Sequence, residues 1–464
     1  MLAYVIFGII SLIAAIGTLL SIAVVADRVR VGGETKLLQW ISILVIIGGT
    51  ALPALIRILS GLDVDDPRSA SYDGSNIAAV IWLKRFFTGS ILLLTTAGLL
   101  RRFTGLLDQR APGASLMFAY LAYAILSLVI GAIFSTKPAL LPALYYSVFV
   151  LVLVFAAKQA DLEKVIETIK FGLRLILIGS LVLAVAMPAW AFTKSANSML
   201  PGLSERLVGL TSHPNVLGPL ALLYLVLDSG RSRPRAWEWV MRLAAVLIIV
   251  LAQSKTVWVA SILVVAAIVV MRIFGGGRFF RRAASGWLIL TALLGCTMIV
   301  MVLLLVATFG LHQLENLPGF RNVLTLVGRS EIWSITISLW EQSPMFGYGP
   351  TLWSPEFRHS YSMLYVGQAH NQFIQTLGDS GLVGLFGLTI YVFSLLAYGL
   401  RLAAVSQGMT VGLAVLILIR SFTETPMRSL GVADPTFLMH FIVFATILYW
   451  SRVAIVRENR DMSL

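Results

Sequence analysis

Charge is what this sequence has least of. Only 12% of its 464 residues are Asp, Glu, Lys or Arg, against 58% hydrophobic residues, and mean hydropathy is +0.89. So little charge cannot clothe a water-soluble surface. Apolar runs close to the ~20 residues that cross a bilayer make this a polytopic helical membrane protein. The runs are continuous rather than alternating, which excludes a transmembrane β-barrel. Cysteine is nearly missing as well. The single Cys296 lies inside an apolar run, so disulfide frameworks and cysteine-based metal sites are excluded. No cleavable signal peptide is visible, because the first apolar run is long enough to stay as a helix. Nucleotide motifs are also lacking. Gly275-Gly276-Gly277 is not followed by the Lys-Ser/Thr of a phosphate-binding loop, and no dinucleotide or kinase pattern occurs. An enzyme fed by cytoplasmic nucleotide sugars is therefore disfavoured.

What charge there is leans positive. A net +13 invites a nucleic-acid reading, but the basic residues sit in short loops on one side of the membrane. Arg28, Arg30 and Lys36, then Arg101, Arg102 and Arg110, then Arg231, Arg233, Arg235 and Arg242, then Arg272, Arg278, Arg281 and Arg282 mark alternate loops. By the positive-inside rule that side is the cytoplasm; no nucleic-acid partner is expected, and membrane lipids are. The expected architecture is all-α, a single integral membrane domain over residues 1–464 with about 12–14 transmembrane helices. The N-terminus is outside and the C-terminus inside. One long loop, residues 311–370, joins the tenth span (285–310) to the eleventh (371–400) and faces the exterior.

That loop is the most polar stretch of the chain, and long ordered loops carry function. It holds Gly328-Arg329-Ser330-Glu331-Ile332-Trp333, then Ser343-Pro344-Met345-Phe346-Gly347-Tyr348-Gly349-Pro350, then Ala369-His370-Asn371-Gln372. Ser330 reads as an N-cap with Glu331 in the first turn. Trp333, Ile337 and Trp340 recur at helical spacing, so 329–342 is expected to be an amphipathic helix lying on the membrane face. Pro344 ends it.

Four exterior cations stand out. Arg206 precedes Ser212-His213-Pro214-Asn215; Lys255 occupies the short turn Gln253-Ser254-Lys255-Thr256; Arg329 opens the loop helix; Arg420 ends a span one turn before Glu424. A cation costs about 2.5–3.5 kcal/mol at the centre of a span on insertion scales and less toward the edge, so a set of them held there calls for an anion. Glu205, Glu331 or Glu424 could supply it as a salt-bridge network, or a diphosphate could bind them by charge-assisted bonds. An acidic exterior loop with Asp63, Asp65 and Asp66 needs no role beyond solvation, and no metal site is assigned. His370, at the junction of loop and span, suits a general base, since histidine ordinarily titrates near neutrality. His213, ahead of a proline in a turn, reads as structural.

Together these stretches resemble the O-antigen ligase and polysaccharide polymerase superfamily. The resemblance rests on 328–333, on 343–349, and on His370-Asn371 followed by Leu377-Gly378-Asp379-Ser380-Gly381-Leu382-Val383-Gly384. It also rests on His213-Pro214-Asn215 and Gln253-Ser254-Lys255-Thr256. Lys255 stands where that family leads one to expect Arg, keeping charge but losing the bidentate fork. The resemblance implies a metal-independent, cofactor-free glycosyltransferase in the bacterial inner membrane with its site facing the periplasm. Its donor would be an undecaprenyl-diphosphate-linked glycan. The acceptor would be another lipid-linked repeat unit in a polymerase of exopolysaccharide or O-antigen, the reading preferred here, or lipid A-core in a ligase. A chain-length regulator and other polysaccharide-assembly proteins are the partners it implies. The roles expected are His370 as catalytic base, Arg206, Lys255 and Arg329 on the diphosphate, and Asn215, Asn371, Arg420 and Glu424 in support. A polysaccharide or lipid transporter is the rival class; it should scatter intramembrane charge through both halves and show internal repeats, and neither is visible.

Overall fold

A computed structural model describes residues 34–59, 78–102, 112–139, 141–194, 204–230, 235–274, 329–363, 366–428 and 431–462. The expected first and tenth spans, most of the acidic loop, the glycine run at 275–277 and the first part of the long loop lie outside the described residues. What is described is almost wholly helical. The chain runs through α1 (Glu34–Gly49), α2 (Ala51–Leu59), α3 (Ala78–Arg102), α4 (Ala114–Phe134), α5 (Pro142–Phe155), α6 (Gln159–Ala186) and the short α7 (Pro188–Ala191). It continues through strands β1 (Phe192–Lys194) and β2 (Glu205–Leu207), then α8 (Pro214–Asp228), α9 (Ala236–Ala252) and α10 (Lys255–Phe274). After the undescribed stretch come α11 (Arg329–Glu341), α12 (Pro355–Ser360), α13 (Gln372–Arg401), α14 (Met409–Thr423) and α15 (Pro435–Met462).

Six of these, α3, α4, α6, α10, α13 and α15, are long and apolar enough to cross a membrane, and shorter apolar helices lie within α1, α5, α8 and α14. Large apolar side chains such as Leu100, Val185, Leu243 and Ile262 point outward, as lipid-facing positions must. The chain is an all-α polytopic membrane protein. Its helices pack α1 on α6, α4 on α13, α8 on α9, α10 on α14 and α13 on α14, around one apolar core that includes Tyr224, Tyr391, Phe437, Phe441 and Phe444.

Three details depart from the sequence reading. First, the charged stretch Asp161–Lys170, which hydropathy leaves outside the spans, is continuous with the apolar helix that follows. It is the first part of the 28-residue α6, whose start Asp161 caps by accepting from the Lys158 amide at 3.3 Å.

Second, α11 opens at Arg329, which puts Ser330 inside the first turn rather than at the cap. Its packed face is Ile332, Thr336 and Leu339, not the Trp333–Ile337–Trp340 stripe. The helix docks on α13 and shares a small core with Leu352, Trp353, Phe357, Met363, Val366 and Ala369. Trp333 and Trp340 instead donate to backbone, to the Ala369 carbonyl at 2.7 Å and the Pro344 carbonyl at 2.9 Å. Protein contacts, rather than membrane alone, fix this helix.

Third, the eleventh span is broken. Gly381 takes φ 63°, ψ −158° inside α13, and the turn after α11 fills the break. The Leu382 and Val383 amides donate to the Pro344 and Met345 carbonyls at 2.9 and 3.2 Å, and the Tyr348 amide donates to the Gly378 carbonyl at 2.7 Å. A Cβ on Gly381 would fall 2.4 Å from the Met345 carbonyl group, and left-handed φ there favours glycine. Backbone polar groups freed in a membrane helix must find partners. Here residues 344–348 supply them.

Candidate active site

The motif residues converge at one end of the bundle, and each is brought there by a local device. His213 is the N-cap of α8, where Pro214 needs no amide partner; its Nδ1 accepts from the Asn215 amide at 3.1 Å. Asn371 is the N-cap of α13, its Oδ1 accepting from the Phe373 and Ile374 amides at 2.9 and 3.1 Å. His370, just before it, is held at φ 49°, an uncommon conformation for a non-glycine residue that recurs at functional sites. Arg206 stands on β2 opposite Thr193 of β1, a two-stranded ribbon that the apolar-run reading missed because three-residue strands leave no periodic signal. Gln253 ends α9 at φ 46°, and its side-chain amide donates to the Glu205 carbonyl at 2.8 Å, which ties the Gln253–Thr256 turn to that ribbon.

Glu424 is the hub. Its Oε2 lies 2.7 Å from His370 Nδ1 and accepts from Gln368 Nε2 at 2.7 Å. Its Oε1 accepts from Asn215 Nδ2 at 3.3 Å and faces Arg329 at 3.8 Å and Arg420 at 4.0 Å. Arg206 donates to Asn215 Oδ1 at 3.1 Å and to the Ala252 carbonyl at 3.0 Å. Arg420 donates to the Asn215 carbonyl at 3.1 Å and to Thr256 at 3.4 Å. Thus Arg206, Asn215, Arg329, His370, Arg420 and Glu424 form one contact network across more than 200 residues of chain. Lys255 opens α10, three residues after the Ala252 carbonyl that Arg206 binds at the end of α9. Asn371 serves by capping and by donating to the Phe422 carbonyl at 3.4 Å.

The electrostatics follow from crowding. Burial alone would raise the Glu424 pKa, but His370, Arg420 and Arg329 overcome it and hold the carboxyl well below the usual carboxylate range. An ionised carboxylate only accepts, so His370 Nδ1 donates in this bond, and Nε2 is the nitrogen that the bond does not use. The His370 side chain retains 30% of its exposure while Glu424 retains 7%, so the imidazole reaches outward from a buried anchor. Burial lowers the Arg206 guanidinium to about 10, still cationic at neutral pH. Burial, then the Arg206 charge, pushes His213 down to about 4, leaving it a neutral cap. Among the described residues, the buried Nη1 of Arg329 and Nε of Arg420 have no hydrogen-bond partner; such donors are costly unless an acceptor meets them.

The sequence undervalued Glu424 and missed its neighbours. Gln368 bonds both Glu424 and Thr425. Arg428 pairs with Asp379 at 3.2 Å and donates to the Leu352 and Gly367 carbonyls at 2.8 and 3.2 Å, bracing the His370 loop against α13. Of the other acids considered as partners, Glu331 is exposed on α11.

Fold and site together define an integral membrane protein whose chemistry is built where loop and helix ends meet. Residues 240–389 match the family model described as O-antigen ligase, a match that supports the resemblance to the O-antigen ligase and polysaccharide polymerase superfamily over that segment. Lys255, Arg329, His370 and Asn371 fall inside the matched segment, whereas Arg206, Asn215, Arg420 and Glu424 lie outside it and join the site only through the fold. No curated protein matches the chain.

Proposed function

We propose that this protein transfers a glycan from an undecaprenyl-diphosphate carrier to a sugar hydroxyl on the periplasmic face of the inner membrane, joining repeat units into exopolysaccharide or O-antigen. The observation that carries the reading is the convergence of Arg206, Arg329 and Arg420 with the His370–Glu424 pair at one bundle end. The buried unpartnered donors of Arg329 and Arg420 suit phosphate oxygens. In the proposed step the acceptor hydroxyl gives its proton to His370 Nε2 as its oxygen bonds the anomeric carbon. The bond from that carbon to the diphosphate oxygen breaks, and the diphosphate departs with the electron pair, its charge balanced by Arg206, Lys255 and Arg329. Glu424 stabilises the imidazolium that forms, as a carboxylate partner does for a catalytic histidine. No acid is needed at the leaving group.

A deletion strain examined by gel and mass spectrometry tests the assignment. Single repeats retained with polymer lost identifies a polymerase. Polymer made but missing from lipid A-core identifies a ligase, the reading that the matched family's description favours. Unchanged glycans sink both.

A further inference from the structure

A second charged cluster lies at the far end of α8, about 20 Å from the Asn215 end at 1.5 Å per residue. Asp228, the last residue of α8, is fully buried. Its Oδ1 lies 2.9 Å from Lys170 Nζ and 3.9 Å from Arg174. Its Oδ2 accepts from Arg242 Nε at 2.8 Å, and its carbonyl accepts from the same guanidinium at 3.0 Å. Arg272 joins them by donating to the neighbouring Ser229 carbonyl and to Gln407 at 3.2 Å.

Among the described residues, cations outnumber anions here. Of the nearby acids, Glu238 is buried and accepts from the Arg235 amide at 2.7 Å, and Glu167 pairs with Lys164. One carboxylate needs one counter-charge, and further cations close by repel one another. Nor does Asp228 seal them in, since the Lys170, Arg174 and Arg242 side chains keep 18%, 20% and 19% exposure. Two of them are aimed by indoles, with the Arg174 guanidinium 4.4 Å over Trp237 and that of Arg242 5.0 Å over Trp239. Both tryptophans are exposed, as in the aromatic belt at a membrane–water boundary. Below them, exposed Val240, Leu243 and Leu247 of α9 and Phe171, Leu175 and Ile178 of α6 give an apolar track.

A basic pocket between helices, rimmed by indoles and continued by apolar surface, has the chemistry of a phospholipid seat. We propose that Lys170, Arg174, Arg242 and Arg272 hold the phosphate of an anionic phospholipid whose acyl chains run along α6 and α9. The apolar track distinguishes this ligand from a soluble phosphate.

The test uses full-length protein in neutral detergent, with native mass spectrometry and thermal unfolding after addition of cardiolipin, phosphatidylglycerol, phosphatidylcholine or inorganic phosphate. Cardiolipin and phosphatidylglycerol should stay bound and raise the melting temperature, while phosphatidylcholine and inorganic phosphate do neither. The double substitution Arg174→Gln and Arg272→Gln should weaken retention of the anionic lipids about tenfold or more, with lipid-free stability unchanged. If that variant does not fold, Arg272→Gln alone leaves every ligand of Asp228 in place and should weaken retention in the same direction. Equal retention of phosphatidylcholine, stabilisation by inorganic phosphate alone, or undiminished binding in the folded variants would overturn the proposal.

Discussion

Nδ1 of His370 lies 2.7 Å from Oε2 of Glu424, 54 residues further along the chain. The carboxylate orients the imidazole through Nδ1 and leaves Nε2 for another partner, so the two residues should fail together. His370→Ala and His370→Gln are expected to lower transfer from lipid-linked donor by about 10²–10⁴-fold, the usual contribution of a positioned base. Glu424→Gln should cost at least about tenfold, since an amide can present the wrong group to Nδ1. Purified protein with defined donor and acceptor gives the rates; more than about a tenth of the wild-type rate in His370→Ala is too small a loss for a base and would remove it from that role.

The cations make a separate prediction about the donor. Arg206→Ala, Lys255→Ala and Arg329→Ala should each abolish transfer while protein still accumulates in the membrane. Lys255→Arg should be tolerated, because it keeps the charge and adds a fork. Normal activity in the Arg206→Ala, Lys255→Ala double variant would refute a diphosphate site there.

Acid should loosen the site through His213. Its folded pKa of about 4 lies below the ordinary value near 6.5, so between those pH values the unfolded chain binds a proton that the folded protein refuses. Stability must therefore fall as pH drops from about 6.5 toward 4. Glu424, held low, adds its own loss only below the ordinary carboxylate range near 4.3, as pH falls toward its folded value. Melting temperatures should fall with pH across that range for wild type, and fall less steeply above pH 5 in His213→Asn. An unchanged slope in the variant would contradict the assignment.

The break in α13 predicts where the scaffold is brittle. Gly381→Ala places a Cβ 2.4 Å from the Met345 carbonyl group at a positive φ, and should destabilise by more than about 1 kcal/mol. Arg428→Ala strands the Asp379 carboxylate and two backbone carbonyls, a loss of about 3–5 kcal/mol for a buried pair. Thermal unfolding in detergent measures both, and Asp379→Asn should recover part of the second loss. Wild-type melting in either single variant would mean that the contacts carry no load.

Sidedness is checked by reporter fusions. Those after Arg102, Arg235 and Arg457 should report cytoplasm, and those near Ser198 and Arg358 periplasm, following the basic loops. A cytoplasmic signal near Arg358 would overturn the proposed direction of transfer.

The sequence by itself determined the membrane class, because continuous apolar runs and scarce charge permit little else. It also determined the candidate residues, because a cation or a histidine at a bilayer edge carries a cost that demands a reason. Helix ends rest on local contacts, with His213 and Asn371 capping α8 and α13 through amides two or three residues away, yet the one cap read from sequence, Ser330, lies inside its helix. What only the tertiary structure decided is which residues meet. Glu205, Glu331 and Glu424 were equal candidates as partners for the cations until packing of α14 against α10 and α13 brought Glu424 under His370. The face on which α11 docks, the strand that carries Arg206, and the Gly381 break all depend on contacts far apart in the chain. Hydropathy and spacing report the period of one element against an apolar medium, and in a bilayer every helix meets the same medium. Partner choice is set by shape and hydrogen bonding between helices, and that information exists only after they have packed.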